Sequence, residues 1–388
     1  MNKFAFLVHP LKPQDITKKV KILGKLPDKT IEGILAMWPP FKAGHATGIR
    51  SKTGAEIEGW FIALPRTPRQ LMEMPVEKAY REIIQAGRLA ERLGAQIFGL
   101  GAFTKVVGDA GVTVARNLSI PVTTGNSYTA YTSIEGARVA AQKMGIDFKT
   151  AKVAVIGATG AIGSVISRIL AKDGISHLTL VAREQEKLEA LAKVIRAQGD
   201  PHESSNLNVA VSTDINRAVS EADVVFTVTS AIGGLIDPQY LKPGAVLCDA
   251  ARPRNVAKEV VEKRKDVLVI EGGVVEMPGK EATAGMNIGL PPKMVLACMA
   301  ETMVLTLEGR FESYTLGRDL DMEKVEETGR LAAKHGFKLG GLRSFDAQLS
   351  EEDIARVKES ARRTPATGKT RADAKYPASK TGESLATT

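Results

Sequence analysis

The sequence predicts an α/β protein: a Rossmann-like doubly wound parallel sheet, an N-terminal α/β substrate domain ahead of it and a C-terminal helical segment behind it. Three observations carry this prediction. From Ala151 onward, short β-branched runs alternate with amphipathic helical stretches, as parallel strands joined by right-handed crossovers require. The first such unit, AKVAVIGATGAIGSVISRILAKDG, sets a glycine turn between its strand and its helix. With 36 Gly and 5% aromatic residues, the composition suits an architecture of many tight turns.

In chain order, residues 1–148 form the expected substrate (acyl) domain. Val76–Leu93 repeats apolar residues at helical spacing and stops at Gly94, where a C-cap belongs. GAQIFGLGAF reads as a buried strand and Leu118–Thr123 as a second extended piece. Thr124-Gly125-Asn126 and a helix from Ser127 to Met144 follow. Residues 149–289 form the expected dinucleotide domain, with further strands at HLTLVAR, Asn208–Ser212, Asp223–Thr229, Ala245–Cys248 and Val267–Ile270, and a helix at Glu184–Ala197. In residues 290–345, Lys293–Gly309 reads as one apolar helix opened by Pro291-Pro292, and Met322–His335 as an amphipathic one. Residues 346–388 read as a charged helix and a disordered tail too polar to bury a core.

The 388 residues, 44% hydrophobic, suffice for two or three domains. No run approaches the roughly 20 apolar residues of a membrane-spanning helix, and MNKFAFLVHP lacks the basic start of a signal peptide, so the expected compartment is the cytoplasm. The net charge of +9 includes six Lys/Arg against two acids from Ser360 onward. That modest excess suits an acidic protein partner and does not point to nucleic acid. Cys248 and Cys298 exclude a disulfide framework and a zinc cluster, and the five histidines have no metal-ligand spacing. His335, just before Gly336, reads as a solvated helix C-terminal residue.

The strongest motif is Gly157-Ala158-Thr159-Gly160-Ala161-Ile162-Gly163, between a strand and a helix. Small residues there let the backbone approach a pyrophosphate, whose charge meets the free N–H groups of the helix start. The next strand ends in Arg183 where an acid would grip the ribose of NAD, so the expected cofactor is NADPH, with Lys187 one helical turn on. Thr229 and Ser230, after DVVFTVT, belong on the nicotinamide side. Cys298 lies about two turns beyond the proline pair, and on the residues alone it reads first as a small core residue of an apolar helix. Tyr376 and Lys380 match the Tyr-x-x-x-Lys pair of short-chain dehydrogenases, but in the tail and with proline inside the motif.

Four segments together resemble the long-chain acyl-[acyl-carrier-protein] reductases: Thr123–Tyr131, the loop Gly157–Ser164, Glu271–Glu276, and Ala297–Glu301 running on to Glu308-Gly309. Leu100–Phe103 and Lys334–Phe337 are similar too, and the likeness covers roughly residues 58–337. The resemblance implies NADPH-dependent reduction of a fatty acyl thioester, on acyl carrier protein or coenzyme A, to an aldehyde, with Cys298 as the nucleophile. It brings Thr124, Asn126, Ser127 and Tyr128 into the expected catalytic set, Tyr128 standing where the family carries histidine. It also implies an acidic acyl carrier protein as partner, for which Lys18, Lys19, Lys21 and Lys25, or Arg66 and Arg69, are candidate contacts. VAREQEKLEAL and LKPGAVLCDAARPRN also resemble the nucleotide domains of glutamyl-tRNA reductase and shikimate dehydrogenase. Those segments leave open an oxidoreductase of that type, or a non-catalytic NADP-sensing protein.

Overall fold

The computed structural model describes residues 1–17, 26–198, 207–231 and 233–364. Lys18, Lys19, Lys21, Lys25, His202, Tyr376 and Lys380 lie outside them. The first sheet joins β1 (Asn2–Val8), β2 (Phe41–Arg50), β3 (Glu56–Ala63), β4 (Ile97–Leu100) and β5 (Val122–Thr123), in the order β2-β3-β1-β4-β5. Only the β2–β3 pair is antiparallel. The sequence showed β4 and β5 and hid the others. β1 opens the chain without a preceding turn signal, and β2, FKAGHATGIR, is rich in small residues and twice irregular in register.

The short helices α1 (Gln14–Thr17), α2 (Asp28–Ala36), α3 (Pro68–Glu73) and α5 (Val112–Arg116) join these strands, together with the long α4 (Val76–Arg92). α4 buries Ala79, Ile83, Ala86 and Ala90 against Leu7, Ile62, Phe98 and Leu100, and Gly94 closes it at φ +79°. Arg66, a candidate partner contact, is instead buried: it donates to the carbonyls of Leu35, Ala36 and Pro65 and pairs with Glu82. Arg69 is held by Glu32 and Glu73.

The second sheet joins β6 (Lys152–Ile156), β7 (His177–Val181), β8 (Asn208–Ser212), β9 (Val224–Thr227), β10 (Val246–Asp249) and β11 (Leu268–Glu271). It runs β11-β10-β9-β6-β7-β8, every pair parallel, the doubly wound order in which strands reverse direction of travel at β6. α6 (Asn126–Met144), α7 (Ala161–Lys172), α8 (Gln185–Ala197), α9 (Ile215–Glu221) and α10 (Lys258–Lys263) connect or cover it. α6 precedes this sheet in sequence, yet buries Ala130, Ile134, Ala137 and Ala141 in its core.

The chain then returns to the first sheet. β12 (Val274–Glu276), β13 (Met294–Leu296) and, far along the chain, β14 (Lys338–Leu339) form a small antiparallel sheet. α11 (Ala297–Glu308) follows β13, and α12 (Met322–His335) and α13 (Glu351–Arg363) come after it. The single helix expected from Lys293 is thus broken: Met294–Leu296 is extended because it completes the edge of β12, and the helix starts at Ala297. Every residue of α11 from Ala297 to Leu307 is buried. Such a helix, apolar all round, must be covered on every side. Met303 and Val304 share a core with Phe4, Phe6 and Phe61 of the first sheet, and α6 and α12 pack against the rest.

His335 corrects the solvated reading: it is 2% exposed, its Nδ1 lying 2.9 Å from Ser51 Oγ and its Nε2 2.8 Å from Glu308 Oε2. Among the described residues, no helix is long and apolar enough to cross a membrane.

Candidate active site

The glycine loop follows β6 directly. Gly157 takes φ +90°, and a methyl group on Gly163 would lie 2.2 Å from the Gly157 carbonyl oxygen, so only glycine lets α7 start so close to the strand end. Gly160 caps α7 without a side-chain hydrogen bond, leaving the helix's first N–H groups, at Ala161, Ile162 and Gly163, open to an anion. Ala158 is buried beneath the turn and Thr159 is half-buried. Just beyond β7, Arg183 is exposed and has no ion pair or hydrogen bond among the described residues, whereas Lys187 is taken by Glu184 at 2.8 Å.

On the far side of β6, the Thr229 N–H and hydroxyl donate to Asn255 Oδ1 at 2.9 and 3.1 Å, and Asn255 Nδ2 donates to the Ala231 carbonyl. Ser230, between them in the chain, is exposed. Asn255, fully buried, therefore pins the loop that follows β9. It lies in DAARPRN, a segment visible in the sequence but assigned no role there. A tight cradle, an uncapped helix start and an exposed cation past the second strand are features that fit a nicotinamide dinucleotide.

Cys298 is the second residue of α11, not a mid-helix residue, and is 8% exposed. Gly125, at φ +72° before α6, packs on it so tightly that a Cβ there would lie 2.3 Å from Cys298 Cα. Two helices of 19 and 12 residues, neither capped by the side chain of its own N-cap residue, thus begin beside each other at Cys298. Their N-termini favour negative charge between them. The glycines of Glu271–Glu276 make room for this approach. Gly273 accepts from the Ala297 N–H at 2.7 Å, and a Cβ on Gly272 would meet Ser133 Oγ at 2.7 Å and Cys248 Sγ at 3.1 Å.

Glu301, one turn beyond Cys298 and fully buried, accepts from the Thr123 hydroxyl and, at 2.9 Å, from the Tyr128 N–H. It thereby caps α6 from a different helix, in place of the side chains of Asn126 or Ser127. Burial pushes its carboxyl above the ordinary range, against those hydrogen bonds. Burial likewise pushes up the Cys298 thiol, and Glu301 adds to this. Lys105, the Met299 backbone N–H and Arg252 pull it down. Neither Lys105 nor Glu301 was singled out from the sequence as a site residue.

The expected catalytic residues all gather here, in different states. Thr315 Oγ1 donates to Ser127 Oγ at 2.9 Å, so that hydroxyl is already engaged in the fold. Asn126 Oδ1 and Thr124 Oγ1, flanking Gly125, are buried without a hydrogen-bond partner among the described residues. Tyr128 is 3% exposed, its ring stacked on Tyr131 with centroids 6.2 Å apart, and burial raises its hydroxyl's pKa. Cys248 is fully buried in β10 and donates to the Ser133 carbonyl, a packing role. Among the described residues, no group of three or more His, Cys, Asp or Glu is placed to hold a metal ion.

The sequence model of the family described as Shikimate / quinate 5-dehydrogenase matches residues 138–271, the dinucleotide-binding sheet. The chain is 32% identical over 367 residues to the aminotransferase PigE of Serratia sp. (strain ATCC 39006), across 92% of this chain and 42% of that protein. The chain thus spans less than half of that relative's length. It is 34% identical over 115 residues to glutamyl-tRNA reductase 2 of Pyrobaculum arsenaticum, 29% of this chain and 26% of that one. To the long-chain acyl-[acyl-carrier-protein] reductase of Synechococcus elongatus it is 33% identical over 303 residues, 75% of this chain and 85% of the relative. At that identity, over 85% of the relative's length, this chain belongs to the long-chain acyl-[acyl-carrier-protein] reductase family of NAD(P)-dependent oxidoreductases.

Proposed function

We propose that this protein reduces a long-chain fatty acyl thioester, carried on acyl carrier protein or coenzyme A, to the fatty aldehyde with NADPH. The observation that carries the reading is Cys298 at the start of α11, set against Gly125 where α6 also begins. A buried thiol where two helices begin is an environment for a nucleophile, whereas a cysteine kept only for packing resembles Cys248.

In this reading the Cys298 sulfur, having given up its proton, attacks the thioester carbon. The carrier's sulfur leaves and takes up a proton, and the acyl group rests on Cys298. One thioester replaces another, so the step is nearly balanced and depends on positioning. The dinucleotide, when bound, supplies a hydride to the acyl carbon. Collapse of the resulting thiohemiacetal oxyanion releases aldehyde and returns the Cys298 thiolate. The free N–H groups of Asn126 and Ser127 and the Asn126 amide border the oxyanion. The fold already uses the Ser127 hydroxyl, and Tyr128 acts through its backbone N–H, on Glu301. Gly157–Gly163 holds the pyrophosphate, Arg183 a 2′-phosphate, and Thr229 and Ser230 border the nicotinamide.

The test is mass spectrometry of the protein incubated with a C16 or C18 acyl thioester. Without NADPH, the Cys298 peptide gains a hydroxylamine-sensitive acyl mass. With NADPH, that mass disappears as aldehyde forms. Acylation confined to another residue overturns the proposal.

A further inference from the structure

Thr227 closes β9 beside Ile156, and the next N–H, that of Val228, donates to the Ile156 carbonyl at 3.0 Å, so the loop after β9 starts against the end of β6. Thr229 then stands against the glycine turn: a Cβ on Gly157 would lie 2.9 Å from Thr229 Cγ2 and 3.2 Å from the Thr229 nitrogen. Ser230 and Ala231 follow, both exposed. A short exposed loop ordinarily leaves its polar groups to water. Here they turn inward to one fully buried side chain, Asn255. Its Oδ1 takes both the Thr229 N–H and the Thr229 hydroxyl, and its Nδ2 donates to the Ala231 carbonyl at 3.1 Å. A backbone N–H only donates and a carbonyl only accepts, so these partners fix which end of the amide faces which residue. The Thr229 hydroxyl also accepts from the Ala231 N–H at 3.1 Å and is thus occupied within the loop. The Asn255 backbone closes the loop from its other end, its carbonyl accepting from the Leu235 N–H at 2.8 Å.

Asn255 is held in turn by Asp249, buried at the end of β10. The Asp249 carboxylate accepts from the Thr227 hydroxyl at 3.0 Å, the Ala251 N–H at 3.0 Å and the Val256 N–H at 2.8 Å, which ties the turn carrying Asn255 to both β9 and β10. Contacts therefore run unbroken from the core of the sheet through Asn255 and Thr229 to Gly157. In the strand order β11-β10-β9-β6-β7-β8, Arg183 follows β7 on one side of β6 and Thr229 follows β9 on the other. The two halves of a dinucleotide lie on opposite sides of such a switch point, which puts the nicotinamide half on the side of the β9 loop. A loop already held in one conformation binds its ligand without the entropy loss of ordering it.

We infer that Asn255 is the positioning residue for the nicotinamide half of the dinucleotide: by fixing Thr229–Ala231 against Gly157 it presets the wall on that side of the pyrophosphate turn. This rests on the proposed placement of NADPH across β6, and its test needs neither thioester nor turnover. Dissociation constants are measured on the full-length protein for NADPH and for 2′,5′-ADP, which carries the adenosine and its 2′-phosphate but no nicotinamide half. Asn255→Ala is expected to weaken NADPH about tenfold, the scale set by leaving buried hydrogen-bonding groups without partners, and to leave 2′,5′-ADP binding as in the parent. Thr229→Val keeps a branched side chain beside Gly157 and removes the hydroxyl. It is expected to weaken NADPH selectively by a smaller factor, and it carries the test if Asn255→Ala does not fold. In the double variant the second substitution should add little, because both act on one loop. Unchanged NADPH affinity in either folded variant, an equal loss for the two ligands, or fully additive losses would overturn the inference. A protein that shows this dependence on Asn255 but never takes an acyl group on Cys298 sinks the proposed chemistry and leaves the role of Asn255 standing. A parent that binds 2′,5′-ADP but not NADPH overturns both.

Discussion

Gly125 and Cys298 touch through their backbones: the Cβ that any other residue would bring to position 125 would lie 2.3 Å from Cys298 Cα and 2.4 Å from its carbonyl oxygen. Gly125 also needs φ +72°, so glycine is required there twice over. The contact fixes where α6 starts relative to α11, and hence which N–H groups surround the thiol.

Gly125→Ala is therefore expected to move the sulfur as well as strain the loop. The substitution should cost about 1–3 kcal/mol of stability and lower turnover more than tenfold, while NADPH affinity stays close to that of the parent. Thermal unfolding and a dinucleotide titration check this. A Gly125→Ala protein with full turnover would show that the two helix starts need not touch.

Cys298→Ser should fold and bind NADPH, because the two side chains differ little in size, yet lose turnover by orders of magnitude. A serine hydroxyl is scarcely ionised at neutral pH, and burial makes this harder still. Cys248→Ser places a hydroxyl in the packed sheet and should lower stability while retaining acyl transfer. Steady-state kinetics and unfolding curves on both variants separate the two thiols.

Glu301 gives a pH signature. Its buried carboxyl is raised above the range it has in the unfolded chain, so its contribution is fully present below that range and is lost as pH rises through the folded value. Glu301→Gln keeps an acceptor for the Tyr128 N–H and removes the titration. Melting temperatures of parent and variant, measured from about pH 4 to about pH 8, should shift in the variant's favour as pH increases. Parallel curves would mean that Glu301 keeps its ordinary titration.

Arg183 should set the dinucleotide preference. NADPH is expected to bind at least about tenfold more tightly than NADH, roughly 1.4 kcal/mol, and Arg183→Ala should remove most of that gap. The side chain is exposed with no partner among the described residues, so its removal should leave the unfolding transition unchanged. Equal affinities in the parent would remove the case for NADPH preference at Arg183.

The dinucleotide half was legible in the sequence because its signals are local. A glycine turn, the helix after it and the cation at the next strand end all fall within Lys152–Arg183, and their geometry follows from strand–turn–helix chemistry over a few residues. The four segments of the family resemblance likewise pointed to Cys298. The strands of the first sheet were harder to see, since β2 lacks bulky alternating residues and takes its order from pairing with β3.

Only the tertiary structure decided what surrounds the sulfur. Met294–Leu296 and α11 form one apolar run, and periodicity does not reveal that three residues leave the helix to pair with β12 and so bring Cys298 to its N-terminus. Glu301 meets Thr123 across 178 residues, and Asn255 meets Thr229 across 26. A single charged or polar residue in the chain carries no mark of its distant partner. Sheet pairing and the burial of α11 on all sides choose that partner, because they alone bring β4 and the loop after β5 to the same helix.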